Sequence, residues 1–265
     1  MPNLSQTQNA FLKKMKRHKQ LVIMTRILIL VLFLFIWEMA VRLEWIDGFI
    51  FSSPCRVAAT FWSMVLDRSI FLHVGITLSE TLISFLLVVF LGLFVAVCLW
   101  MSTGMSEVLE PYLVVLNSLP KSALAPLLIV WLGANTRTII VAGMSVAIFG
   151  TILNLYTGFQ EVDKDKIKLI YTLRGTKKDV LLKVILPGTI PMTISLMKVN
   201  IGLCLVGVII GEFIGAKSGL GYLIIYGSQV FKLDWVIMSI VILCAIAMGL
   251  YSLIHVLEKT YQKRA

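Results

Sequence analysis

The stretch Glu80-Thr81-Leu82-Ile83-Ser84-Phe85-Leu86-Leu87-Val88-Val89-Phe90-Leu91-Gly92-Leu93-Phe94-Val95-Ala96-Val97-Cys98-Leu99-Trp100-Met101 decides the class of fold. It is apolar almost throughout and as long as the roughly 20 helical residues that cross about 30 Å of hydrocarbon. Further stretches of the same kind stand at about 21–41, 111–133, 138–158, 190–213 and 235–257. In a 265-residue chain with 58% hydrophobic and 14% charged residues, one soluble core cannot take up that much apolar surface, and a bilayer must. The expectation is an all-α membrane protein in which a basic tail, 1–20, precedes a six-helix transmembrane domain, 21–265.

A formal net charge of +10 would suit a nucleic-acid binder, but basic residues also orient membrane proteins, so their placement decides. Six crossings put both termini on one side. The tail bearing Lys13, Lys14, Lys16, Arg17 and Lys19, the loop bearing Lys164, Lys166, Lys168, Arg174, Lys177, Lys178 and Lys183, and the end bearing Lys259, Lys263 and Arg264 all fall there. That side is expected to be the cytoplasm, with membrane lipid and not nucleic acid around the chain. The first apolar run is longer than a signal-peptide core and lacks a small-residue cleavage site, which makes it an anchor of a multi-pass cell-membrane protein. Cys55, Cys98, Cys204 and Cys244 have no C-x-x-C spacing and read as packing residues.

Two regions are not plain lipid-facing helices. The third span contains Leu119-Pro120-Lys121-Ser122 and then Pro126, and proline removes a backbone donor and collides with the preceding turn, so this span must break or bend. Freed carbonyls at membrane depth are tolerated only within protein or beside a water-filled path. After the fifth span, Gly215, Gly219, Gly221 and Gly227 stand among apolar residues, which predicts a folded outer loop or re-entrant turn. Within the fifth span Gly207 and Gly211 form a G-x-x-x-G pair with Gly202 earlier, suited either to packing inside one subunit or to a dimer seam.

Intramembrane polar residues are costly and therefore candidates for function. Lys121, beside the break, could offer an ammonium to an anionic solute, snorkel, or pair with a carbonyl; Glu212, near the outer end of the fifth span, could cap or pair there. Asn117, Pro120, Ser122 and Asn200 complete the candidate path, with interhelical hydrogen bonding as the alternative for the amides and the hydroxyl. His18, His73 and His255 are scattered, so there is no metal-binding spacing and no nucleophile elbow. The run Gly211–Ser218 approaches a phosphate-binding loop, but Ala216 stands where that loop requires glycine before its lysine. Neither a metal nor a bound cofactor is expected.

The loop at about 159–188 is basic and amphipathic, with Ile167, Ile170, Tyr171 and Leu173 and then Val180, Leu181, Val184 and Ile185 at helical spacing. It suits a helix lying in the headgroup layer or one docking into a groove of a cytoplasmic partner. Its run from Arg174-Gly175-Thr176 to Leu186-Pro187 resembles the EAA loop of binding-protein-dependent ABC importer permeases, E-A-A-x3-G-x9-I-x-L-P. Aligned on the closing Leu186-Pro187, Lys168, Leu169 and Ile170 take the E-A-A positions, Arg174 the glycine and Val184 the isoleucine. Phe51-Ser52-Ser53-Pro54, Leu119–Pro126 with Trp131-Leu132-Gly133, Asn154–Gly158 and Gly211–Tyr222 resemble the nitrate, sulfonate and taurine branch in order and spacing.

That resemblance implies a MetI-like type I importer transmembrane domain, not an enzyme, with two permeases paired as homodimer or heterodimer around the path. Each would seat its loop on a separate ABC ATPase subunit that binds the ATP, and an extracytoplasmic solute-binding protein would deliver a small, anionic solute. Lys168, Leu169, Ile170, Arg174, Gly175, Thr176, Val184, Leu186 and Pro187 would form the coupling loop. The rival is a stand-alone secondary carrier, which would need inverted repeats and more helices.

Overall fold

The computed structural model describes residues 6–262. Met1–Ser5 and the tail residues Lys263 and Arg264 lie outside the described residues, as does the side chain of Lys13. The described chain is helical. Helix α1 (Gln6–Arg42) carries the first apolar run, and α2 (Gly48–Phe51) and α3 (Pro54–Leu66) form the loop between the first two spans. Then follow α4 (Ser69–Met101), α5 (Thr103–Ser118), α6 (Lys121–Leu132) and α7 (Thr136–Gln160). The basic amphipathic loop holds α8 (Lys164–Thr172) and α9 (Lys177–Val180), and a π-helical turn (Leu181–Ile185) leads into α10 (Leu186–Gly215). Helices α11 (Leu220–Gln229) and α12 (Leu233–Gln262) complete the described chain.

Local chemistry sets the boundaries. Ser102 Oγ accepts from Met105 N to start α5, Asn135 Oδ1 accepts from Thr138 N to start α7, and Ser53 Oγ accepts from Arg56 N with Pro54 next in line to start α3. The second span begins at Ser69, not near residue 80. Its first three turns carry Ser69, His73, Gly75, Thr77 and Ser79 among apolar residues, and His73 and Thr77 are held by tertiary hydrogen bonds described below. Pro187 cannot donate to Lys183 and would crowd that carbonyl; the helix widens immediately before it, and Leu186 N reaches back to Leu181 O.

Helix α7 is the axis of the bundle, flanked by α4 and α10. Gly207 and Gly211 of α10 face α7 so closely that a Cβ on Gly207 would lie 2.8 Å from Gly143 Cα and 2.9 Å from Ala142 O. The G-x-x-x-G pair is therefore used inside the subunit, while Gly202 faces open space. One core joins α4, α5 and α7 to the loop through Leu99, Leu113, Tyr156, Phe159, Val180 and Ile185. The Phe51–Pro54 motif docks this first loop onto α12: Ser52 Oγ bonds Asp234, and Arg56 reaches Asp234 at 3.1 Å and Gly48 O at 2.6 Å.

Among the described residues, five helices are long and apolar enough to cross a membrane alone, and α5 and α6 form a further apolar pair bent by 98°. The contacts settle how that pair is counted. Helix α9, the π-helical turn and α10 run on as one rod from Lys177 to Gly215; Lys177 at its start bonds Met101 at the end of α4, whereas Gly215 at its far end packs on Ile129 and Ala134. Between Met101 and Ala134 the chain therefore passes from one face of the bundle to the other, and α5–α6 is one broken crossing. The four cysteines are free.

Candidate functional site: coupling loop and broken helix

Helix α8 starts on Asp163, whose side chain accepts from Asp165 N, and ends in a left-handed turn. Arg174 N donates to Tyr171 O (2.9 Å) and Gly175 N to Ile170 O (2.8 Å), the two bonds of a Schellman ending, with Arg174 at φ 59°. The residue at the motif's glycine position thus keeps the left-handed backbone that glycine would adopt without strain. Gly175 is needed for closeness, since a Cβ there would lie 2.8 Å from Ile170 O.

Thr176 then opens α9 with a full capping box. Its hydroxyl accepts from Asp179 N (3.3 Å), and the Asp179 carboxylate accepts from Thr176 N (2.8 Å). Lys177 ties the unit to the bundle: its Nζ donates to Met101 O at 3.0 Å and stands 5.3 Å above the Trp100 ring.

The loop's apolar residues divide between two faces. Val180, Leu181 and Ile185 are buried in the core, and Ile170 and Leu186 pack against it. Leu169, Tyr171, Leu173 and Leu182 point outward, with Leu173 71% exposed. Lys168 is exposed beside Asp165 (3.4 Å), Val184 is half-buried and Pro187 is exposed. The second half of the sequence stripe is therefore the root of the loop, not an outward face.

At the break, Pro120 occupies the N-cap position of α6, and Lys121 Nζ folds back onto Asn117 O across the bend, satisfying one carbonyl that the prolines free. Asn117 leans on Gly150 of α7, and Ser122 is exposed. The structure thus brings Asn117, Pro120, Lys121 and Ser122 together. Asn200 and Glu212 lie elsewhere. Asn200 is buried among α4, α7 and α10, beside Thr151 and Thr193. Glu212 is fully buried, accepting from Thr77 Oγ1 (2.6 Å) and Gly221 N (2.5 Å).

Lys198 was legible as a charge inside an apolar run but is absent from the candidates above. It forms an ion pair with Glu258 on α12, and Ser195 Oγ and His255 also bond that carboxylate, each at 3.3 Å. Thr77 and Glu80 join the buried polar residues because α4 starts at Ser69, which places Glu80 three turns inside the helix and not at the edge of the apolar run.

Comparison with known proteins now bears on this geometry. The family described as the binding-protein-dependent transport system inner membrane component matches residues 88–263. The chain belongs to that family. This importer permease is 30% identical over 225 residues to a probable ABC transporter permease protein of Haemophilus influenzae, covering 85% of this chain and 91% of that one. It is 25% identical to the putative aliphatic sulfonates transport permease SsuC of Bacillus subtilis over 98% of this chain and 95% of that protein. It is also 28% identical to the nitrate import permease NrtB of Synechococcus elongatus over 73% of this chain and 72% of the other. These relatives bear out the nitrate, sulfonate and taurine branch read from the sequence. A solved structure of the MetNI methionine ABC transporter superposes with a TM-score of 0.62 at 18% identity, covering 74% of this chain and 95% of that one, which establishes the MetI-like fold. The importer permease is a membrane-embedded transport subunit and not an enzyme.

Proposed function

We propose that two such permeases, as a homodimer or a related pair, enclose the path of a small anionic solute of the nitrate, sulfonate or taurine kind. Each couples to a separate ATPase subunit through residues 159–188, and the ATP is bound by that partner. A solute-binding protein delivers the solute on the outer side, and both termini lie in the cytoplasm with the basic coupling loop.

The observation that carries this reading is the division of the loop into two faces. Four large apolar side chains, Leu169, Tyr171, Leu173 and Leu182, stand outward on a unit whose other face is rooted in the core and whose turns are capped. A groove-bound helix presents such anchors, with basic neighbours setting register. A helix lying in the headgroup layer has no need of a Schellman turn, a capping box and a lysine tie to hold its orientation.

Lys168, Leu169, Ile170, Arg174, Gly175, Thr176, Val184, Leu186 and Pro187 are assigned to coupling, the exposed ones by contact and the rest by holding the unit's shape. Asn117, Pro120, Lys121 and Ser122 are assigned to the path. Asn200 and Glu212 act from within the subunit by holding the path's walls.

The test is co-purification in mild detergent. Leu169→Asp with Leu173→Asp is expected to reduce ATPase recovery at least tenfold while leaving the permease folded, as truncating central apolar anchors does at other interfaces. A permease that purifies alone and transports in vesicles without ATP would instead be a stand-alone carrier. For the path, Lys121→Met is expected to lower uptake at least fivefold with ATPase recovery unchanged.

A further inference from the structure

At the outer end of the bundle, two carboxylates are buried together with no cation in contact. Glu80 on α4 is 1% exposed and Glu212 on α10 is fully buried. The bonds of Glu212 are accounted for: Oε1 accepts from Thr77 Oγ1, and Oε2 accepts from Gly221 N at the start of α11. Neither Glu80 oxygen has a hydrogen-bond partner. The Glu212 carboxylate and the hydroxyl of Thr136, where α7 begins, are among its polar neighbours.

Glu80 also lines a cavity of about 280 Å³ at the outer face, together with Ile76, Thr136, Ile139, Gly215 and Lys217. The cavity holds the single nearby ammonium at its rim, where Lys217 is exposed and makes no ion pair among the described residues. The other titratable neighbour, His73 on α4, already accepts from Gly219 N through Nδ1 (3.0 Å).

An unpartnered carboxylate in such a place costs several kcal/mol, and a second one beside it raises that cost. Either a proton shared by the two carboxylates or a bound cation removes that cost. We propose that this cavity is a cation-binding site, with Glu80 as principal ligand and Glu212 and Thr136 as the remaining oxygen donors.

The donor set is hard and made of oxygen, and among the described residues no three His, Cys, Asp or Glu side chains converge. It therefore suits an alkali or alkaline-earth ion that keeps part of its water, or the protonated amine of a small solute, and not a transition metal. Both Glu80 oxygens are closed to water, so an ion gives up its water on that side and keeps it only toward the cavity. Binding would tie α4, α7 and α10 together at the outer mouth, beside the α11 turn.

The test uses the full-length permease in nanodiscs, melted in chloride salts of sodium, potassium, magnesium, calcium and methylammonium at constant ionic strength. The expected result is a saturable rise in the melting midpoint with at least one of them, on the order of 5 °C at 100 times its dissociation constant. In Glu80→Gln, whose amide can donate to Glu212, that rise should vanish while the cation-free midpoint stays level or increases. A response to methylammonium alone would identify the amine of a solute, and a response to metal ions alone would identify an inorganic ion.

No cation response in wild type, with a midpoint that moves only with pH, would overturn the proposal in favour of a proton shared by the two carboxylates. No response together with destabilisation by Lys217→Ala would overturn it in favour of the rim ammonium as counter-ion. Should Glu80→Gln fail to fold, equilibrium binding of radioactive sodium and calcium to wild type and Glu80→Asp decides the same question.

Discussion

Arg174 and Gly175 are neighbours with opposite demands. Arg174 occupies left-handed backbone at φ 59° that its side chain tolerates at some cost, and Gly175 approaches Ile170 O too closely to carry a Cβ. Arg174→Gly is therefore expected to change stability by no more than about 1 kcal/mol, because relief of backbone strain offsets the added freedom of the unfolded chain. Gly175→Ala is expected to cost at least about 1 kcal/mol and to lower ATPase recovery, since α8 must shift to make room. Thermal melting with co-purification checks both, and equal tolerance of the two changes would contradict the turn geometry. Gly219 is a comparable case, with φ 119° and the Glu212 carboxylate where a Cβ would stand. Its role needed the structure, because nothing in the spacing of Gly215, Gly219, Gly221 and Gly227 indicates which of them meets a carboxylate.

Between elements, Lys177 is the side chain that ties the basic loop to the end of α4. A lysine on a carbonyl at a helix C-terminus, also over an indole ring, combines charge-assisted hydrogen bonding with a cation–π contact. Lys177→Met is expected to leave ATPase recovery intact, because the outward face is untouched, while solute moved per ATP hydrolysed falls about fivefold to tenfold. Lys177→Arg should restore part of it. A loss of recovery in step with transport would mean that Lys177 only stabilises the loop. The α7–α10 seam allows a second test at this scale. Gly207→Val would force side-chain atoms against Gly143 Cα and Ala142 O, and the expected outcome is loss of folded protein, a cost of about 3 kcal/mol or more. Survival of that variant would place the G-x-x-x-G face elsewhere.

Over the whole molecule, six crossings follow from where the α9–α10 rod begins and ends, since Lys177 at its start touches α4 and Gly215 at its far end touches α6 and the turn before α7. Reporter fusions should therefore give cytoplasmic signals at both ends of the chain and an outer signal near Lys217. Opposite signals at the two ends would mean that α5–α6 turns back without crossing. The same geometry leaves the outer sides of α5 and α6, with Tyr112, Val115, Val130 and Trp131 exposed, beside the path residues at the bend. A second permease would have that face available.

Membrane class, six apolar spans, the proline break and the amphipathic loop were all legible in the sequence, because each is a local property of length, period or backbone chemistry. Family motifs carried the importer reading further than period could. Which apolar residues of the loop turn inward was not legible: helical spacing places Val180 and Leu173 on stripes, and only the packing of α4, α5 and α7 buries the first and leaves the second outside. Nor could the sequence separate a G-x-x-x-G pair within a subunit from one between subunits, or extend α4 back to Ser69, because His73 and Thr77 find partners more than 140 residues away. Hydrophobic period records what each helix needs, whereas the pairing of Glu80 with Glu212 and of Lys198 with Glu258 depends on which helices meet, and that is decided by tertiary packing alone.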